Sequence, residues 1–215
     1  MERQKKGRNR YNIFIEHAFA FAVDEEILMK YHLFKGETVH PELLEDIAKD
    51  EAKQEAYTKA LRWLAYRQRS EKELRAYLKR KEYKANVIHD CIEKLVSQGY
   101  LDDQRFSTSL AEERLISRSR GKLWIGQELK QKGVAPAVIQ ETLSSIGADS
   151  ELNAALRIAR KRWKILEKHG DRRAAVRKLY AFLAGRGFSA SLARQAVAET
   201  VTEEDGAEVC GWVDE

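Results

Sequence analysis

The feature that most constrains this chain is a repeat of about 50 residues. One apolar pattern occurs three times. It runs from Leu74 through Leu78 to Tyr83 and on to Val87-Ile88. It returns from Ile125 through Leu129 to Val134 and Val138-Ile139, and again from Leu179 through Leu183 to Phe188 and Leu192. The offsets are 51 and 54 residues, and Ile92, Leu143 and Val197 stay in register, as do Leu95 and Ile146. A fixed register across a turn and two helices is the mark of a tandem helical array, in which each unit buries its apolar face only with help.

Each repeat reads as three helices. In the first, Tyr57, Ala60, Leu61, Leu64 and Ala65 recur at helical spacing, and Leu74, Tyr77 and Leu78 face the same core. Ser70 and Glu73 form a capping box, and Asn86 is placed to cap a third helix with the stripe Val87, Ile88, Cys91, Ile92, Leu95 and Val96. Gly99 ends that helix in the left-handed conformation, and Asp102 or Asp103 opens the next. In the last repeat Asp171 and Ser189 are the expected caps. Both prolines, Pro41 and Pro136, suit the first turn of a helix. The start differs: Ile13 and Ile15 around Phe14, then Phe19, Phe21 and Val23 among alanines, alternate as strands do, with Glu16 and His17 as the turn. Asp24 then caps a short helix reaching Tyr31, and Gly36 closes the unit.

The expected architecture is therefore all-α: three tandem three-helix repeats in an elongated body, with an N-terminal β-hairpin and helix. The boundaries fall at 1–40 for the extension, 41–103, 104–148 and 149–201 for the repeats, and 202–215 for an acidic tail expected to fray. Helices of 10–14 residues are roughly 15–20 Å long. Stacked bundles of that size offer little room for a buried active site and much surface for a long partner.

Composition narrows the function. No apolar run of membrane-spanning length occurs, and the start Met-Glu-Arg-Gln-Lys-Lys lacks the apolar stretch of a secretory signal, so the cytoplasm is the expected location. Cys91 and Cys210 are too few for a disulfide framework and are read as free thiols. There is no phosphate-binding glycine loop and no Cys-x-x-Cys, and the adjacent Asp102 and Asp103, which could be read as paired carboxylates or a metal site, stand just before a helix and read as caps. The histidines 17, 32, 40, 89 and 169 are scattered, so no catalytic, cofactor or metal site is expected. The net charge of +5 hides a body, residues 11–198, that carries +8 between a basic start and an acidic end. Such a body attracts polyanions.

The basic residues themselves repeat. Arg67 and Arg69 flank the junction between the first two helices of the first repeat, and Arg118 and Arg120 stand 51 residues on. Arg172 follows Arg118 by 54. Guanidinium forks bind phosphate or carboxylate in bidentate fashion. Arg75, Lys79, Arg80, Lys122 and Lys130 extend the set as a candidate binding stripe, although cations also settle at helix C-termini for structural reasons. Trp63 and Trp163 read as core, and Trp124, just off the Leu123 and Ile125 face, as a candidate interface anchor.

Two segments carry a resemblance. Ala-Leu-Arg-Trp-Leu-Ala-Tyr-Arg-Gln-Arg-Ser-Glu-Lys-Glu-Leu (60–74) and Gly-Tyr-Leu-Asp-Asp-Gln-Arg-Phe (99–106) are similar to signatures of the RecX family, as are Gly121, Ile125, Glu128, Leu129 and Gly133. The hairpin from Tyr11 to Val23 resembles the N-terminal extension of Gram-positive members. This likeness covers nearly the whole chain, most weakly in the third repeat and tail. It implies a helical, non-enzymatic regulator of recombination that binds RecA filaments, lies in their groove and restrains ATP hydrolysis, strand exchange and the SOS response. Nonspecific affinity for single- and double-stranded DNA is implied too. A monomer without a cofactor is expected. The competing reading, from three-helix units as DNA-reading scaffolds, is direct DNA binding without a recombinase target.

Overall fold

The protein was analysed as a computed structural model that describes residues 1–4, 9–36, 38–169 and 171–210, except for the side chains of His169 and residues 203–210. It divides into two compact units, Met1–Asp102 and Asp103–Glu215.

The first unit opens on a three-stranded antiparallel sheet of β1 (Glu2–Arg3), β2 (Arg10–Ile15) and β3 (Ala18–Asp24), in that order. The expected hairpin is β2 and β3. Its turn residues Glu16 and His17 both have positive φ, 48° and 65°, the primed geometry that matches strand twist. Strand β1 lies in a basic segment where no pattern announced it. The pairing goes from Ile13↔Phe21 to Phe14↔Phe19 and skips Ala20, a bulge in β3 that breaks the alternation expected there, so Phe19 pairs on the face of Phe14 and Phe21 on that of Ile13. Tyr11, Ile13, Phe21 and Val23 cover a small core of Ile27, Leu33 and Ile47. Helix α1 (Glu25–Lys30) is capped by the Asp24 carboxylate, which accepts from the Glu26 N–H at 3.2 Å.

The helix opened by Pro41 and the expected first helix of the repeat, with Tyr57, Ala60 and Leu61, are one element, α2 (Pro41–Leu64). Its first half carries the sheet and its second half carries the repeat. Glu51 accepts from the Asp24 N–H at 2.7 Å and from Arg10 at 2.6 Å, which pins the sheet to α2. Helices α3 (Glu71–Arg80) and α4 (Ala85–Ser97) complete the bundle around Ala60, Leu74, Leu78, Ile92 and Leu95. The capping box is present in both directions: Ser70 Oγ accepts from the Glu73 N–H, and Glu73 from the Ser70 N–H. Asn86 is not the cap of α4. Lys84 holds that position without a side-chain bond, and Asn86 lies inside the first turn. Val96 is half exposed rather than core. Cys91 is buried, and burial pushes its thiol up to about 11.

The second unit contains α5 (Asp103–Ile116), α6 (Lys122–Gln131), α7 (Pro136–Ser145), α8 (Ala148–Leu166), a 3-10 turn, α9 (Arg172–Gly185) and α10 (Ala190–Cys210). Its six helices share one core, from Phe106, Leu115, Ile125 and Leu129 through Ala155, Ala159 and Trp163 to Leu179, Leu183 and Phe188. The second and third repeats are thus fused rather than merely adjacent. Backbone contacts explain the closeness. The Gly121 and Leu123 N–H groups donate to the Arg186 and Gly187 carbonyls, both at 3.0 Å. A Cβ on Gly121 would lie 2.3 Å from the Gly187 carbonyl oxygen, and one on Gly187 2.4 Å from Trp124. Helix α10 continues to Cys210, through the segment expected to fray. Glu and Ala are good helix formers there, and they outweigh the poor position of carboxylates near a helix C-terminus.

Candidate functional site

The two arginine pairs sit where the first helix of a repeat has ended and the second has not begun. In the first unit, α2 ends at Leu64 and Ser70 caps α3, so Arg67 and Arg69 lie on the connecting loop. In the second, Arg118 and Arg120 lie between α5 and α6. Alternate residues on a loop point apart, and the two members of each pair have different environments.

The inner arginines are stacked. Arg69 lies with its guanidinium carbon 4.2 Å from the centre of the Trp63 ring, and Trp63 is itself stacked on Tyr77 at 4.5 Å with the planes 4° apart. Arg120 lies 4.4 Å from Trp124 in the same way. Burial lowers the pKa of both below the ordinary arginine value. Arg67 adds to the effect on Arg69, and Arg186 and Arg118 to that on Arg120. The Arg69 Nε is buried with no hydrogen-bond acceptor. Both groups are therefore fixed in orientation by aromatic faces.

The outer arginines are open. Arg67 and Arg118 leave 48% and 62% of their side chains exposed. Each has a glutamate at 3.3 Å, Glu73 and Glu113 respectively, and Arg67 also donates to the adjacent Gln68 carbonyl at 3.1 Å. Exposed pairs of this length are weak, so either guanidinium can leave for a phosphate or a carboxylate on a partner.

The other predicted residues divide. Lys79, Arg80 and Lys130 are exposed. Arg75 is exposed but paired with Glu71 at 2.8 Å, one turn away. Lys122 is half-buried and its Nζ donates to the Ile146 carbonyl at 2.8 Å, so its ammonium ends α7. Arg172 is exposed at the start of α9. Trp124 is half-buried against the core, braced by Gly187, while Leu123 stands exposed. Leu123 and Ile125 do not share a face because residues two apart on a helix point in nearly opposite directions. The aromatic ring orients Arg120 instead of projecting outward.

One residue was missed. Arg186 donates to the Arg118 carbonyl at 3.0 Å and joins Arg118 and Arg120 in one cationic cluster contributed by two repeats. The signal was available: Lys81, Lys132 and Arg186 hold one register of the repeat. Against this, Arg114 is neutralised by Glu128 in a bidentate pair at 2.7 and 2.8 Å and belongs to the scaffold. Among the described residues no three His, Cys, Asp or Glu side chains form a metal-ligand set, and no helix is long and apolar enough to cross a membrane.

Comparison with known families agrees with this arrangement of modules. Residues 1–40 match the regulatory protein RecX N-terminal domain. Residues 56–95, 102–143 and 149–197 match the first, second and third RecX three-helix domains. The chain belongs to the RecX family. A regulatory protein RecX from Listeria innocua is 31% identical over 205 residues, which cover 95% of this chain and 76% of the relative. The RecX of Bacillus velezensis is 34% identical over 207 residues, 94% and 76% of the two chains. A crystal structure of a regulatory protein RecX superposes with a TM-score of 0.76 at 27% identity, over 91% of this chain and 95% of the other. That of RecX from Lactobacillus salivarius matches in fold, with a TM-score of 0.67 at 20% identity over 71% and 99%.

Proposed function

We propose that this RecX family member is a non-catalytic cytoplasmic regulator that binds RecA–DNA filaments and restrains recombinase ATP hydrolysis and strand exchange. The observation that carries the reading is the repeated junction: in each unit an arginine locked on a tryptophan stands beside one that is exposed and loosely paired. A preorganised guanidinium beside a releasable one suits bidentate capture of phosphates or carboxylates with little ordering cost. A filament presents such groups periodically, and binding sites in one chain that engage it together gain from effective concentration.

Co-sedimentation tests this reading. The full chain should pellet with RecA assembled on single-stranded DNA and slow its ATP hydrolysis. A chain that stays in the supernatant and leaves hydrolysis unchanged would refute it.

The same arginines favour a second reading, direct DNA binding without a recombinase target. Phosphate contacts alone would give affinity that falls steeply with salt and varies little with sequence. Equal binding to naked DNA and to the filament would favour that alternative.

A further inference from the structure

The third repeat leaves an apolar groove open between its second and third helices. Val176 and Tyr180 on α9 face Val197 and Val201 on α10, around a concavity of about 790 Å³. Residues four apart share a helix face, so each pair forms one wall. Arg177 and Arg194 stand exposed at the edges. Among the described residues neither guanidinium is paired with a carboxylate, and Arg194 donates to the Ala190 carbonyl of its own helix. Glu199 on α10 accepts from Gln195 at 2.9 Å and stays outside the lining.

The second repeat has the same groove, of about 630 Å³, between α6 and α7. Its lining recurs at the 54-residue offset: Lys122 answers to Val176, Gly126 to Tyr180, Gln140 to Arg194, Leu143 to Val197 and Ser144 to Ala198. Its ionisable lining is Lys122 and Lys130, again with no carboxylate. The first repeat shows a solvated face at this place. Its residues in register are Glu71, Arg75, His89 and Glu93, and they pair as Glu71–Arg75 at 2.8 Å and His89–Glu93 at 3.3 Å.

An apolar groove with a cationic rim selects its occupant. A helix that buries an apolar stripe satisfies the walls. Carboxylates beside that stripe complement the rim, whereas a basic segment would bring like charges together. DNA phosphates would meet the rim but not the valine walls. We infer that the α9–α10 groove seats an acidic amphipathic helix of a protein partner, one whose apolar stripe is flanked by Asp and Glu. This goes beyond the recombinase reading and stands without it.

Model peptides test the assignment. Fluorescein-labelled probes carry leucines at i, i+3, i+4 and i+7 among glutamates, the same leucines among lysines, or a scramble of the acidic sequence. The full chain carries Ser144→Glu throughout, an exposed position that closes the α6–α7 groove, so the readout belongs to α9–α10. Anisotropy should show saturable binding of the acidic helix, and binding weaker by about tenfold or more for the other two. Ala198→Glu, also exposed, should weaken the acidic helix by about tenfold or more. Arg177→Glu with Arg194→Glu should reverse the order, so that the lysine helix binds more tightly. Thermal melting checks that each variant is folded. No saturable binding, equal binding of all three peptides, or an order that survives the charge reversal would overturn the proposal. Sedimentation velocity addresses the other occupant. A chain that dimerises until Ala198→Glu is introduced would assign the groove to a second copy and overturn the proposal as well.

Discussion

Arg69 brings a guanidinium into a half-buried site and leaves its Nε without an acceptor, where a fully buried unmade bond costs on the order of 1–3 kcal/mol. The stack on Trp63 offsets that loss and fixes the fork. Arg67, two residues away, is half exposed and has a long pair to Glu73 at 3.3 Å and a bond to the neighbouring Gln68 carbonyl at 3.1 Å to lose. The two positions should therefore separate in a melting experiment. Arg69→Ala is expected to lower stability by about 0.5–2 kcal/mol through the lost cation–π stack, and Arg67→Ala by less than about 0.5 kcal/mol. Equal effects would mean that the inner and outer roles are misassigned. Much of this was legible in the sequence, because a guanidinium recurring 51 residues on identifies the junctions without coordinates. The partition was not. Which arginine stacks depends on tryptophans from different positions, Trp63 in the first helix of one repeat and Trp124 in the second helix of the next.

Elements with local signals formed where the residues said they would. Ser70 with Glu73, Asp24, Pro41, Pro136 and the Glu16-His17 turn act within three or four residues of themselves, so their chemistry is readable from the chain. Strand β1 and the bulge were not readable, since each depends on a partner strand. The anchorage of the N-terminal elements on α2 has a pH signature. The Asp50 carboxylate accepts from the Tyr31 hydroxyl at 2.8 Å, and this bond, with burial, raises Tyr31 to about 12. Burial, together with its bond to Glu55 at 2.7 Å, raises Tyr83 to about 12 as well. A folded pKa above the unfolded value of 10.0 means the native state keeps its proton longer. That stabilisation is complete below about pH 10 and is lost as pH rises towards about 12. Ultraviolet titration should show two tyrosines ionising near pH 12, with one late component removed by Tyr31→Phe. Ionisation of every tyrosine near pH 10 in the folded protein would contradict these contacts.

At the scale of the molecule, the repeat gave the number of modules but not their fusion. Period and register describe what each repeat resembles, not which neighbour it buries against. In the second unit, α8 supplies Ala155, Ala159 and Trp163 to a core shared with Phe106 and Leu115. Its Glu151 accepts from the Lys122 N–H at 2.8 Å, and its Arg157 caps the Leu115 and Ile116 carbonyls. A fragment of residues 1–147 loses all of these, so its second repeat should fail to fold even though three helices of sequence remain. Hydrogen exchange should show slow amides in α2–α4 and fast ones in α5–α7. Protection of α5–α7 in the fragment would show the two repeats to be independent. The intact protein offers the sharper experiment, because Arg67 and Arg118 are exposed and their charge can be reversed without disturbing either core. Arg67→Glu combined with Arg118→Glu should melt like the parent, yet need about tenfold or more protein to half-inhibit RecA ATP hydrolysis on single-stranded DNA, equivalent to at least about 1.4 kcal/mol of lost binding. A folded double variant that inhibits at the parental concentration would contradict the account.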